Sequence, residues 1–180
     1  MFELDIPLFG LLRLKHLVSD FTGTLSVDGE LIPVTREHMT KISEFLQLHI
    51  LTADTFGMAR SELHGINCEL QILNGESHDI QKEEYLQKPG TDTVITLGNG
   101  NNDRGMLTRL LRSASPCALR RDVLQLLLEA ADIVVTSITD ALNILMKIVI
   151  LNAFWWRFWR RLSNHNCFIM KNKDGGESGI

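Results

Sequence analysis

Cysteine is scarce in this 180-residue chain, and the three that occur, Cys68, Cys117 and Cys167, are far apart and in no Cys-x-x-Cys arrangement. That spacing excludes a disulfide framework and a thiolate metal site, and reads as reduced thiols in a cytoplasmic protein. An excess of basic charge is also lacking. Eighteen Lys and Arg stand against 22 Asp and Glu, a formal net charge of −4, which leaves no electrostatic footprint for nucleic acid. No apolar run reaches the ~20 residues of a membrane-spanning helix; the longest candidate, beginning at Ile148, is confined between Lys147 and Arg157. A secretory leader is not visible, because Met-Phe-Glu-Leu-Asp-Ile-Pro carries acids where a signal peptide carries positive charge, and Pro7 and Gly10 break its apolar run. What remains is a length and an apolar content of 44% that suit one domain with a real core.

The most informative stretch is Lys15-His-Leu-Val-Ser-Asp-Phe-Thr-Gly-Thr-Leu25. A short β-leaning run ends in Asp20, and Thr22-Gly23-Thr24 follows at once, so a carboxylate is delivered to a tight turn at a strand's carboxyl end, where open α/β sheets do chemistry. There Asp20 can attack a phosphoryl group, Gly23 lets the backbone approach phosphate oxygens, and Thr24 offers one of them a hydroxyl. The plainer alternative is a strand that ends in a polar turn.

Further strands and helices alternate with this one. Residues Phe2 to Ile6 and Leu11 to Lys15 suit an edge hairpin around Pro7 and Gly10. Asp28-Gly29 reads as a turn, so Asp28 is a turn residue and not a catalytic acid, and Thr35 is a candidate N-cap for a helix over Glu37 to Leu46. Leu48 to Leu51 is a strand ending at Thr52, whose hydroxyl can hold a phosphoryl oxygen or cap a helix. Asp54 or Thr55 can cap the helix through Met58, Arg60 and Leu63, which stops near Gly65. Asn67 to Leu73 is a strand, Asn74-Gly75 a turn, and Ser77 to Gln87 a helix offering Lys82, with Lys88 just beyond it; a bare lysine there is ordinarily a solvated surface charge. Asp92 to Leu97 is the next strand, followed by Gly98-Asn-Gly-Asn-Asn-Asp103. That loop either places Asp103 to meet a hard cation together with Asp20 or is a Gly/Asn-rich connection with an N-cap Asp. Ser113 to Cys117 would make a weak strand because Pro116 removes a donor. Asp122 to Ala131 reads as an amphipathic helix, Asp132 to Thr136 as a last buried strand, and Ile138 onward as a closing helix. The fold class implied is α/β, a doubly wound parallel sheet, with residues 1–147 as core plus N-terminal hairpin and 148–180 as a separate aromatic and basic tail.

In their order, Asp-x-Thr-Gly-Thr at Asp20, Leu-Thr-Ala-Asp at Leu51, the lysine-bearing helix and Gly-Asn-Gly-Asn-Asn-Asp at Gly98 resemble the haloacid dehalogenase-like hydrolase superfamily. Within it the chain is most similar to the phosphorylation domain of P-type ATPases and their small soluble relatives. The likeness runs from about Leu17 to Leu145. It implies a Rossmann-like core in which Asp20 is the nucleophile and Thr52 and Lys82 stabilise phosphoryl charge. Lys82 is preferred to Lys88 because it sits at the family's offset, with Tyr85 and Leu86 behind it, whereas Lys88 adjoins the Pro89-Gly90 turn. The resemblance further implies that Gly23, Thr24, Ala53 and Asn102 contact substrate, and that Mg²⁺ is held by Asp20, the backbone carbonyl at Thr22, Asn99 and Asp103. Two positions depart from the phosphatase pattern. Thr22 stands where those enzymes carry an Asp that protonates the leaving group, so Thr22 enters the catalytic set as a substituted general acid. Asn99 stands where the pumps have a metal-binding acid.

The intervals between these motifs are short. Asp20 to Thr52 holds one turn and one helix, and Thr52 to Lys82 one helix, one strand and part of another helix, so neither holds a cap domain. An open site favours a bulky phosphorylated substrate or a lid borrowed from another subunit, hence a homo-oligomer. No nucleotide-binding insertion or transmembrane bundle is present, so the resemblance does not extend to an ion pump. The tail collects all three tryptophans and three arginines between Ile148 and Leu162, a composition that suits an interfacial helix on anionic lipid. It equally suits a closing helix packed on the sheet or on another subunit, which is preferred because family members end in a helix. From Ser163 onward disorder is expected. The resulting expectation is a cytoplasmic, Mg²⁺-dependent phosphohydrolase working through a phosphoaspartate on Asp20, slow because of Thr22; the alternative is a regulatory or binding protein with the same fold and little turnover, membrane-associated through its tail.

Overall fold

The structure is a computed structural model that describes residues 2–6, 10–87, 93–98, 103, 135 and 137–147. Lys88, Asn99, Asn102, the segments expected at 113–117, 122–131 and, apart from Val135, 132–136, and the aromatic tail lie outside the described residues.

A four-stranded parallel sheet organises the chain, built from β3 (His16–Asp20), β6 (Gln47–Thr52), β7 (Cys68–Ile72) and β8 (Val94–Leu97) in the order β7-β6-β3-β8. The chain moves outward from β3 through β6 to β7 and then crosses back to place β8 on β3's other side. The strand order therefore reverses at β3, and the crevice this opens at the carboxyl ends of the strands is where α/β sheets bind ligands. Asp20, the last residue of β3, stands at that point.

β3, β6 and β8 are buried almost throughout, as parallel strands covered on both faces require, whereas β7 at the sheet's edge is only partly buried. Leu17, Leu48, Ile50, Ile95 and Leu97 pack toward α1 (Pro33–Ile42) and α4 (138–147) in a core that includes Met39, Ile42, Leu142 and Leu145. On the opposite face Val18, Leu51 and Val94 meet Tyr85 and Leu86 of the segment formed by α3 (His78–Tyr85) and its following turn. Alternation along β3 puts Asp20 on the same face as Val18, and hence beneath α3. The doubly wound parallel sheet read from the sequence is therefore the fold observed.

The hairpins are local structures. β1 (Phe2–Ile6) and β2 (Gly10–Leu14) pair antiparallel as their own two-stranded sheet and do not extend the main sheet's edge. β4 (Ser26–Val27) and β5 (Glu30–Leu31) pair across Asp28 and Gly29, both at positive φ (51° and 86°), the signature of a type I′ turn. Asp28 is a turn residue, as expected. Leu31 N donates to Glu62 Oε2 at 3.0 Å, which ties this hairpin to α2 (Ala59–Glu62).

Two helix boundaries differ from the sequence reading. Thr35 is not an N-cap. α1 begins two residues earlier at Pro33, whose fixed φ suits the first turn, and the extended Ile32 precedes it. Thr35 is instead fully buried within the helix, its hydroxyl without a hydrogen-bond partner among the described residues. The helix also stops at Ile42, and residues 43–46 form turns toward β6. α2 spans only Ala59–Glu62, with Asp54 Oδ1 accepting from Ala59 N at 2.9 Å, so Asp54 and not Thr55 serves its amino end. Among the described residues no helix is long and apolar enough to cross a membrane.

Gly29 offers a test of the β4–β5 turn, because a Cβ there would lie 2.8 Å from Phe56 Cβ and 3.2 Å from Met58 Sδ. Gly65 has almost the same φ (85° against 86°) but nothing within 4 Å. Gly65→Ala should cost about 1–2 kcal/mol of backbone strain, and Gly29→Ala that plus about 1–3 kcal/mol of overpacking. Urea unfolding of the two variants measures the difference; equal losses would mean the loop at Phe56 yields freely.

Candidate active site

The turn after β3 is wound around one carbonyl. Phe21 O accepts from Leu25 N at 2.9 Å, Ser26 N at 3.0 Å and Ser26 Oγ at 3.0 Å, while the Phe21 ring is buried in the core. This fixes Thr22-Gly23-Thr24 over the end of the strand, with Gly23 exposed at φ 79°. Thr24 is buried and donates to Asp20 Oδ2 at 3.2 Å, so its hydroxyl is directed at the carboxylate itself.

Three charged side chains then converge. Lys82 Nζ, from the second turn of α3, donates to Asp20 Oδ1 at 2.7 Å and to Asp103 Oδ1 at 2.7 Å, and all three residues are buried. Tyr85 and Leu86, which follow Lys82 on α3 and its terminal turn, are both buried. Gly98, the residue after β8, admits the third partner: a Cβ there would sit 2.6 Å from Asp103 Cβ and 2.7 Å from its Cγ. No residue with a side chain fits without moving Asp103, a reason for this glycine that the loop's composition alone did not show.

Two carboxylates sharing one ammonium away from water leave an excess negative charge. Burial, and then the Asp103 charge, push the Asp20 carboxyl up to about 6 against the pull of Lys82 and Thr24. Burial alone would lower Lys82, but Asp103 and Asp20 outweigh it and hold the ammonium above its ordinary value.

Thr52, fully buried at the end of β6, accepts from Asp54 N at 2.9 Å, and its hydroxyl lies 3.2 Å from that of Thr22. Ala53 follows, half-buried, on the same strand end. The structure thus brings Asp20, Thr22, Gly23, Thr24, Thr52, Ala53, Lys82 and Asp103 to one end of the sheet. A group missed in the sequence reading lies on the same sheet face: His49 and Glu69 at the Tyr85 hydroxyl, with His16 bonded to His49; its signal was three polar residues on neighbouring strands, visible only once register is known.

No protein-family profile matches the sequence, and no curated protein matches it either. Solved structures do. The cobalt-bound deoxy-D-mannose-octulosonate 8-phosphate phosphatase of Haemophilus influenzae superposes with a TM-score of 0.60 at 12% identity, over 76% of this chain and 89% of that one. A protein of Streptomyces avermitilis placed among the HAD family hydrolases gives 0.59 at 14% identity, over 77% and 86%. The 3-deoxy-D-manno-octulosonate 8-phosphate phosphatase of Moraxella catarrhalis, in complex with magnesium, phosphate and KDO, gives 0.56 at 14% identity, over 81% and 93%. At such identities the likeness establishes the fold, and this chain has the haloacid dehalogenase-like α/β fold.

The shared ammonium has a measurable consequence. Between pH ~4 and ~6 the folded chain binds more protons at Asp20 than the unfolded chain, so stability from this group is present at low pH and lost as pH rises through about 6. Asp20→Asn mimics the protonated form. In EDTA it should melt above the wild type at about pH 7.5, and the gap should close as pH falls toward ~4. A gap independent of pH would show that Asp20 does not carry the shifted titration.

Proposed function

We propose that the chain is a Mg²⁺-dependent phosphohydrolase that forms a phosphoaspartate on Asp20. The observation that carries this reading is Lys82 held 2.7 Å from both Asp20 and Asp103 at the sheet's switch point. A buried nucleophile needs a fixed cation to keep it anionic and to meet phosphoryl charge. Structural neighbours that are phosphatases, one of them in complex with magnesium and phosphate, support the same class.

The residues fit a hard cation. Asp20 and Asp103 exceed Lys82 by one negative charge, and their donors are oxygens. Two carboxylates suit Mg²⁺, an ion bound by one or two carboxylates and otherwise by water and phosphate oxygens. Asp20, Asp103 and the Thr22 carbonyl would hold it, with Asn99 as a neutral and weaker ligand. When bound it supplies charge neutralisation at the transferring phosphoryl group.

The chain's own residues then act in sequence. An Asp20 oxygen attacks phosphorus as the bond to the leaving oxygen breaks; Thr52 and Lys82 take up the phosphoryl charge, with Gly23 and Ala53 beside them. Water afterwards cleaves the acyl phosphate and restores Asp20. The leaving oxygen needs a proton, and at position 22 there is a hydroxyl placed 3.2 Å from Thr52 Oγ1 where a carboxyl would serve better. Formation therefore favours esters with good leaving groups, and because the water that follows has no positioned base to take its proton either, the acyl phosphate hydrolyses slowly and accumulates. The absence of a cap between the motifs favours a bulky phosphorylated substrate.

A chromogenic aryl phosphate assayed with Mg²⁺ and with EDTA tests the class: hydrolysis should require the metal and vanish in Asp20→Asn. Metal-dependent hydrolysis that survives in Asp20→Asn would rule out the covalent route, and no hydrolysis of any phosphate ester in a broad screen would leave a binding or regulatory protein. Thr22→Asp should raise turnover on alkyl phosphates, by up to the ~10²–10⁴-fold that general acid–base catalysis supplies. Rapid-quench detection of the phosphoenzyme checks this; no accumulation in the wild type and no gain in the variant would show that another group moves the proton.

A further inference from the structure

α3 is an eight-residue helix, too short to be stable by itself, yet it must hold an ammonium between two carboxylates. Its position is set by two clamps on either side of Lys82. At the amino side, the Gln81 amide donates to Asn74 O at 2.6 Å and accepts from Asn74 N at 3.2 Å. At the carboxyl side stands Tyr85, one turn after Lys82 and on the same buried face.

The Tyr85 hydroxyl enters a chain of polar groups that crosses three adjacent strands. Glu69 on β7 can only accept, so Tyr85 O–H donates to its Oε1 at 2.9 Å. His49 on β6 has Nδ1 3.0 Å from the Tyr85 oxygen and 3.3 Å from Glu69 Oε2, which places the proton on Nδ1. His49 Nε2 is then the acceptor, and His16 Nδ1–H on β3 donates to it at 3.0 Å. Burial lowers both imidazoles below their ordinary values, with each neighbour's charge a smaller influence; the neutral state is the one this donor order requires. The chain joins the helix that carries Lys82 to the strand that carries Asp20, through Tyr85 at one end and His16 at the other.

We propose that Tyr85 is a positioning residue: its hydroxyl, held by Glu69 and His49, fixes the register of α3 over the sheet so that Lys82 reaches Asp20 and Asp103 together. The alternative is that the ring's apolar packing against Val18, Leu51 and Leu86 suffices. The two differ in what happens when only the hydroxyl is removed. The catalytic consequence rests on the function proposed above; the placement of Lys82 does not.

The test uses the full-length ¹⁵N-labelled protein. A buried, doubly paired ammonium exchanges slowly enough to be seen, and Lys82→Arg identifies its signal by removing it. In Tyr85→Phe the Lys82 signal should broaden through faster exchange, and kcat on an aryl phosphate should fall about ten- to hundredfold with KM unchanged, as expected for a catalytic group displaced by about 1 Å. Glu69→Ala, at a largely exposed side chain that cannot collapse the core, should act in the same direction, Glu69→Gln should restore both readouts because its amide oxygen still accepts, and Glu84→Gln on the exposed side of α3 should change neither. A wild-type Lys82 signal in Tyr85→Phe overturns the proposal; should that variant not fold, a wild-type signal in Glu69→Ala overturns it. A broadened signal in a protein with no phosphatase activity would uphold the positioning and refute the function.

Discussion

One ammonium shared by two buried carboxylates is the constraint on which the rest of this structure depends. Lys82 is 2% exposed and its partners Asp20 and Asp103 are 6% and 0%, so solvent does little to soften either the attraction or the residual repulsion. Burying such a set is costly, and replacing it with apolar side chains would commonly leave a protein as stable or more so. What apolar side chains cannot supply is a buried carboxylate held beside an ammonium, in a set whose two acids outnumber its one base. The price in stability is therefore tied to chemistry at this position, as strained or charged sites commonly are.

Much of the surrounding architecture can be understood as meeting that constraint from different directions. The strand reversal at β3 brings Asp20 to the crevice; α3 lowers Lys82 onto it from one face; the residue after β8 is a glycine because Asp103 lies against its Cα. The segment after Asp20 is wound onto the Phe21 carbonyl, and the segment after Thr52 is fixed by Asp54, whose backbone N–H binds Thr52 and whose side chain binds the first turn of α2. Hydroxyls fill the remaining directions, Thr24 toward Asp20 and Thr22 toward Thr52. The site is thus held on strand ends and short, hydrogen-bonded turns, the kind of support that keeps interacting groups in a fixed geometry.

The sequence by itself determined the alternation of strands and helices, the parallel sheet, and Asp20 and Thr52 at its carboxyl edge, because these depend on local periodicity and on a carboxylate or a hydroxyl falling at the end of an apolar run; Lys82 and Asp103 were legible only through the order of motifs the chain shares with the family it resembles, since a lysine on a helix and an Asp in a Gly/Asn-rich loop have commoner readings. It also identified the Asp28-Gly29 turn, whose two positive-φ positions few other pairs accept. It misplaced the start of α1, since Thr35 has a capping side chain while Pro33 has the backbone geometry, and the backbone prevailed. Only the tertiary structure decided that Gly98 is a contact surface for Asp103, that Thr24 faces Asp20, and that Tyr85 meets His49, Glu69 and, through them, His16. Those residues lie 16 to 36 positions apart in successive contacts. Their meeting depends on strand register and on where a short helix settles across the sheet, quantities set by the packing of the whole domain and by no local pattern of residues.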